Sequence, residues 1–118
     1  MTGPYQKGKQ GEDTALLYMM EKGYRPLERN FRIKGGEIDF IMEKDTLLVF
    51  VEVKYRTRGY PGAGMEAVTI KKQRRVVKAA GEYLLKTDQF SRQLRFDVVE
   101  ITGGGLCHVE NAFSGDWS

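Results

Sequence analysis

Leu47-Leu48-Val49-Phe50-Val51-Glu52-Val53-Lys54 is the stretch that decides the fold. From Leu47 to Val51 every position is apolar. A strand that is apolar on both faces has to be covered on both faces. The run therefore predicts a central strand, Thr46–Tyr55, with other elements packed above and below it. It ends abruptly. Side chains alternate along a strand, so Glu52 and Lys54 share a face with Leu48 and Phe50 and lead two charges out of the buried part together.

On the N-terminal side, a short turn at Lys44-Asp45 makes Glu37–Glu43 an antiparallel neighbour of that strand. Asp39 is a charge flanked by Ile38 and Phe40, and it shares a face with Ile41. Counting back from the turn puts Asp39 near Val49–Val51, within a few residues of Glu52. Before it, Tyr24–Ile33 reads as a first strand, with Pro26 marking an edge or an irregular start. Lys34-Gly35-Gly36 supplies the turn. The chain opens with a helix, Gly8 to Lys22, whose apolar stripe is Ala15, Leu16, Met19 and Met20 and whose C-cap glycine is Gly23. Glu12 lies at the N-terminal end of that stripe, where a carboxylate is costly unless something pairs with it.

On the C-terminal side, a loop, Arg56–Ala67, carries Gly59, Pro61, Gly62 and Gly64. These glycines make no phosphate-binding signature and are expected to form a mobile flap at the mouth of a site. A helix from Thr69 to Lys86 follows, N-capped by Thr69, with Ile70, Val77, Ala80 and Leu84 as its core face and Val76 and Tyr83 beside them. Leu94–Thr102 and Leu106–Ala112 are two more strands, separated by Gly103-Gly104-Gly105. The order αβββαββ predicts an α/β fold, a mixed central sheet flanked by helices.

Composition sets the bounds. At 118 residues and 41% hydrophobic, the chain has room for one domain and one core, with residues 1–6 and 114–118 as flexible ends. One cysteine, Cys107, cannot close an intramolecular disulfide, which fits a reducing compartment. No apolar run approaches a membrane span, and the polar start is no secretory signal, so a cytoplasmic location is expected and no membrane partner. A net charge of +3 with a pI near 9.0 is too mild to prove a nucleic-acid partner; the arrangement of the charges has to decide.

That arrangement is informative. Lys71, Lys72, Arg74, Arg75 and Lys78 put five cations into eight residues of the second long helix, and Lys54, Arg56 and Arg58 lead into the loop before it. Such a face suits a phosphate backbone; the plainer reading is a solvated helix surface, since Lys and Arg are good helix formers. The acids carry the chemistry. An acid-x-Lys triplet arises by chance about once in a chain of this length. Glu52-Val53-Lys54 gains weight from its place, at the end of the apolar strand with Asp39 on the neighbouring strand and Glu12 on a buried helix face. Two carboxylates converging at a strand end make a hard-oxygen site that suits Mg²⁺ or Mn²⁺, which take one or two protein carboxylates plus phosphate oxygens. Lys54 adds a point cation for the attacking water or the scissile phosphate, and Glu12 could reach the ion through water. The plainer reading here is a solvated Glu52–Lys54 salt bridge with Asp39 on an exposed sheet face.

Gly36-Glu37-Ile38-Asp39-Phe40-Ile41 followed by Val49-Phe50-Val51-Glu52-Val53-Lys54 and Arg56 resembles the YraN-like family of bacterial proteins, placed in the PD-(D/E)xK nuclease superfamily. Gly8, Gly11-Glu12, Gly23-Tyr24, Glu28-Arg29-Asn30-Phe31-Arg32, Ala67-Val68, Arg95-Phe96-Asp97-Val98-Val99 and Asn111-Ala112-Phe113 match it too, so the resemblance spans nearly the whole chain. It implies a restriction-endonuclease-like αβββαβ core and a nuclease-type site of the Holliday-junction-resolvase-like kind. In that site Asp39 and Glu52 are the motif acids, Lys54 is the motif lysine and Glu12 is the helix acid. The ion would be held by Asp39, Glu52, the Val53 backbone carbonyl and, through water, Glu12. Arg56, Arg58, Lys71, Lys72, Gln73, Arg74, Arg75 and Lys78 would contact nucleic acid, DNA first, and a homodimer is allowed. There are two departures. Ile38 stands where the motif has proline, and Gln73 is followed by Val77 where some branches have a Gln-x-x-x-Tyr pair.

Three readings follow from different classes: a Mg²⁺-dependent endonuclease acting on branched or structured DNA, a nuclease-fold nucleic-acid-binding module without efficient catalysis, and a metal-free structural or adaptor protein. Outside the site, Glu37 reads as a solvated turn residue and His108 as a surface or sheet histidine without a metal-binding partner. Trp117 lies in the tail.

Overall fold

The apolar run lies where its composition requires. In the computed structural model, which describes residues 4–55 and 69–115, with side chains from residue 11 onward, the run forms β3 (Leu47–Tyr55), the middle strand of the sheet. Around it are α1 (Pro4–Glu21), β1 (Arg25–Ile33), β2 (Gly36–Lys44), α2 (Ile70–Thr87), β4 (Gln93–Thr102) and β5 (Gly105–Phe113). Among the described residues the five strands stand in sequence order. β1, β2 and β3 are antiparallel neighbours, β4 lies parallel to β3 after the α2 crossover, and β5 returns antiparallel. This is a mixed sheet flanked by two helices, consistent with an αβββαβ-type core. Among the described residues, no helix is long and apolar enough to cross a membrane. The loop 56–67, with Arg56 and Arg58, and Trp117 lie outside the described residues.

Each face of the sheet has its own apolar layer. On one, Ala15 and Met19 of α1 pack with Tyr24, Phe40, Met42, Val49, Val51, Val99 and Ile101. On the other, Val76, Ala79, Ala80, Tyr83 and Leu84 of α2 pack with Ile41, Leu48, Phe50 and Phe96. β3 feeds both layers, which is why it tolerates no polar residue before Glu52. β1 is the edge strand that Pro26 suggested, and its pairing with β2 slips between Pro26 and Glu28. Gly23 ends α1 at φ +96°, in the left-handed region expected of its position.

Two expected core residues face solvent. Ile70 is 59% exposed and Met20 46% exposed. Ile70 precedes Val76 by six residues, which turns it about 120° away from the buried stripe, and Met20 is turned about 100° from Met19. A periodicity wide enough to include them was too generous by one residue on each helix.

On the α1 side, one polar cluster ties β4 to β5 and to the start of β1. Asp97 is fully buried and accepts hydrogen bonds from Arg95 Nε and a terminal nitrogen (2.7 Å each), from His108 Nε2 (2.7 Å) and from the Asn111 backbone N–H (3.1 Å). Arg95 also donates to the Tyr24 hydroxyl at 2.5 Å, and Tyr18 reaches His108 Nδ1 at 3.3 Å. His108 is therefore a sheet histidine holding α1 and β4 together, and its side chain is almost buried. Burial pushes the Asp97 carboxyl up, but the donors from His108, Arg95 and Asn111 outweigh it and hold the carboxyl below its usual range.

A group so depressed contributes stability above its ordinary pKa and loses it as the pH falls through the folded value. Asp97→Ala leaves Arg95 without its buried partner and is expected to cost about 3–5 kcal/mol, read from the denaturant midpoint. Acidification should then remove less stability from the variant than from the wild type.

Candidate metal and nucleic-acid site

Strand pairing brings the acids together. Phe40 of β2 stands opposite Val51 of β3, so Asp39, one residue earlier, meets the place where β3 turns from apolar to charged. There the Asp39 carboxylate accepts the Val53 backbone N–H at 2.8 Å, a bond that continues the sheet pairing through a side chain. Glu52 is 97% removed from solvent and lies close enough to Asp39 for the two carboxyls to titrate together. The two carboxyls are on the same side, as the alternation predicted, and the solvated Glu52–Lys54 surface pair is not what forms.

Two close approaches bring the helices to this end of the sheet. A Cβ on Gly36 would stand 2.5 Å from the Arg75 carbonyl oxygen, so only glycine lets α2 lie directly on the start of β2. One turn earlier on α2, Lys72 then hangs over the acids. Its ammonium is 2.9 Å from Glu52 Oε1 and 3.9 Å from Glu37 Oε1. A Cβ on Gly11 would stand 2.9 Å from the Tyr55 ring, which brings the next residue, Glu12, close enough to feel the Asp39 charge from the α1 side.

The electrostatics follow from burial. Burial first, then the Asp39 charge, pushes Glu52 up to about 8, with Lys72 opposing. Asp39 is raised by burial against the lowering effect of the Val53 N–H and of the neighbouring Glu52 carboxyl. The two carboxyls titrate as a pair, and burial favours the protonated form of both. Glu12 is raised too, by burial and then by Asp39. Burial would lower the Lys72 ammonium, yet its bond to Glu52 outweighs this and it keeps its proton more tightly than usual.

The remaining residues sort by position. Lys54 is half-buried and stands opposite the fully buried Glu100 in the β3–β4 register. On α2, Lys71, Arg74, Arg75 and Lys78 are exposed, whereas Lys72 and Gln73 are partly buried. The basic face is thus divided, with four cations facing outward and Lys72 turned onto the acids. Sequence carried a signal for this, because Lys72 precedes Val76, Ala79 and Tyr83 at helical spacing and so continues the buried stripe by one turn. Glu37, read as a solvated turn residue, is half-buried in β2 and ion-paired with Lys72 and Arg32, because α2 covers the strand start.

A divalent ion is tested by the donors it would find. Glu52 Oε2 and Glu12 Oε1 are buried with no hydrogen-bond partner, which leaves oxygen lone pairs unsatisfied. Among the described residues no group of three His, Cys, Asp or Glu side chains forms a cage. Two carboxylates and a nearby third suit an ion that keeps much of its own water, as Mg²⁺ and Mn²⁺ do, better than zinc.

Glu52, Asp39 and Glu12 are all raised, so their share of stability is present at low pH and lost as the pH climbs, for Glu52 through about 8. The metal-free protein should lose up to about 1.4 kcal/mol per pH unit for each proton released in that window. Thermal melts from about pH 5 to about pH 9 check this, and Glu52→Gln, which cannot titrate, should flatten the slope.

With the geometry established, comparison with known proteins places the chain. Residues 11–101 match the family described as "Uncharacterised protein family UPF0102". A UPF0102 protein of Persephonella marina is 46% identical over 113 residues, covering 94% of this chain and 96% of the relative. One from a Sulfurihydrogenibium species is 45% identical over 109 residues, covering 92% and 95%. One from Geobacter metallireducens is 46% identical over 110 residues, covering 90% of each. The family match over residues 11–101 and these relatives agree, and the chain belongs to the UPF0102 (YraN-like) family.

Proposed function

We propose that this protein is a Mg²⁺- or Mn²⁺-dependent endonuclease that hydrolyses phosphodiester bonds in DNA. The observation that carries the reading is the buried Asp39–Glu52 pair at the end of β3, with Glu52 Oε2 left without a partner. Burying two acids side by side costs stability. That arrangement suits a cation site better than a scaffold.

Asp39, Glu52 and the Val53 carbonyl would hold the ion, with Glu12 reaching it through water. When bound, the ion supplies Lewis acidity toward a phosphate oxygen and lowers the pKa of a water. The protein's own groups do the rest. Glu52, raised to about 8 without the ion, would give up its proton to hold it, so the site would gain negative charge as it is loaded. Lys54 presents a point cation to the scissile phosphate or to the attacking water. Lys71, Arg74, Arg75 and Lys78 offer an outward basic face to the backbone on either side, with no base-reading element required.

Cleavage of duplex, flap and junction DNA with Mn²⁺ tests the activity, and branched substrates are expected to be cut best. Lys54→Ala should abolish cleavage while sparing the rise in melting temperature that millimolar metal produces; Asp39→Asn and Glu52→Gln should each lose that rise. A metal-induced rise that persists in the Asp39→Asn/Glu52→Gln double variant would put the ion elsewhere.

Changing Lys71, Arg74, Arg75 and Lys78 to Glu should weaken binding to unrelated duplexes alike. It should also flatten the log–log salt dependence by up to about 0.9 per lost phosphate contact. Affinity that ignores salt in the wild type would make the basic face a solvated surface only.

A further inference from the structure

One cation already sits at the acids. The Lys72 ammonium lies 2.9 Å from Glu52 Oε1, 3.9 Å from Glu37 Oε1 and within electrostatic reach of Asp39. Its backbone is fixed: Thr69 caps α2 through the Lys72 N–H at 3.1 Å, and Gly36 seats the helix on β2 one turn later. The ammonium is not fixed in the same way. It ends a flexible four-carbon stem, and the side chain as a whole is 41% exposed, so it can leave Glu52 without any movement of the helix. On the neighbouring outward positions stand Lys71, Arg74 and Arg75, the cations assigned to the phosphate backbone.

We propose that Lys72 is a resident counter-cation of the Asp39–Glu52 site: it competes with the divalent ion for the carboxylates, and the ion's arrival releases its ammonium to the basic face of α2, where it binds phosphate. This rests on the metal-site reading above and adds to it a coupling between ion and nucleic acid. The electrostatic reason is direct. A dication taken up at Glu52 Oε2 would stand beside the ammonium on Oε1, and the two repel where screening is weakest, so the ion's arrival weakens the hold of Glu52 on Lys72. With the ion absent, Lys72 offsets the charge that Asp39 and Glu52 would otherwise bury uncompensated. With the ion present, it becomes one more free cation beside four others. Metal binding then strengthens the grip on phosphate without any change of fold.

The test is amine labelling of the full-length wild-type protein by an acylating reagent, read lysine by lysine by mass spectrometry with and without millimolar Mg²⁺ or Mn²⁺. Calorimetry with the same ion runs in parallel. The expected result is slow labelling of Lys72 in the metal-free protein and a several-fold acceleration on adding metal. Lys71 and Lys78, already exposed, should be unchanged. Lys72→Gln should bind the ion more tightly than the wild type at alkaline pH, and its DNA affinity should gain less from metal than the wild type's does. Calorimetry that shows binding at Asp39 and Glu52 while Lys72 labelling stays constant overturns the inference and leaves the metal site standing. If neither wild type nor Lys72→Gln binds the ion, the metal-site reading itself fails and the inference fails with it. Binding by Lys72→Gln alone would show the competition at its strongest.

Discussion

The covering of β3 on both faces is the constraint on which the rest of the structure depends. A strand apolar from Leu47 to Val51 cannot sit at an edge or under a single layer, so α1 and α2 are drawn to opposite faces and β2 and β4 to opposite sides. The covering stops where β3 turns charged, and everything chemical gathers there. The start of β2, the first turn of α2 and the Gly11–Glu12 segment of α1 all converge on the Glu52 end. The acids are buried because they lie next to a core that has to be covered, and the helices that cover it also deliver Lys72 and Glu12.

Two glycines control how tightly this closes. Gly36 lets the backbone of α2 touch β2, and Gly11 lets α1 lie against the Tyr55 ring. Gly36, read from the sequence as part of the turn, is the first residue of β2 after a Lys34-Gly35 turn, Gly11 lies within α1, and neither needs an unusual backbone conformation. Each is required because a side chain there would hold a helix away from the sheet by the width of a methyl group, and with it the charged residue that the helix presents. Packing and electrostatics are thus set by the same contacts. A loose fit would hydrate the acids and lower Glu52 toward an ordinary carboxylate.

The two buried acid clusters on opposite faces show what distinguishes a structural charge from a poised one. Asp97 has every lone pair engaged by Arg95, His108 and Asn111 and is held ionised. Glu52 has one oxygen on Lys72 and the other without a partner, and its carboxyl is raised well above the ordinary range. Both are buried to similar degrees. The difference lies in the number of donors aimed at them, and a site with donors missing is one that can take up a cation.

Much of this was legible in the sequence. The run from Leu47 to Lys54 determined a central covered strand with a charged end, and Pro26 marked the edge; the turn read at Lys44-Asp45 falls one residue later, at Asp45-Thr46, because Lys44 still pairs with Leu47, and this shift carries Asp39 past Val49–Val51 to the Glu52 position. These are local properties, carried by period-two alternation and turn length, and they need no knowledge of what packs where. Only the tertiary structure decided the rest. Whether Ile70 and Met20 are core depends on the angular width of the helix face that meets the sheet, which no single helix specifies. Whether Lys72 faces solvent or Glu52 depends on the height at which α2 crosses β2, set by the contact of Gly36 with the Arg75 carbonyl. That Glu37 and Glu12 join the acids, and that Asp97 and His108 form a separate cluster, depends on contacts between residues far apart in the chain. Sequence spacing determines which side of its own element a residue lies on; the distance between two elements is a property of their packing alone.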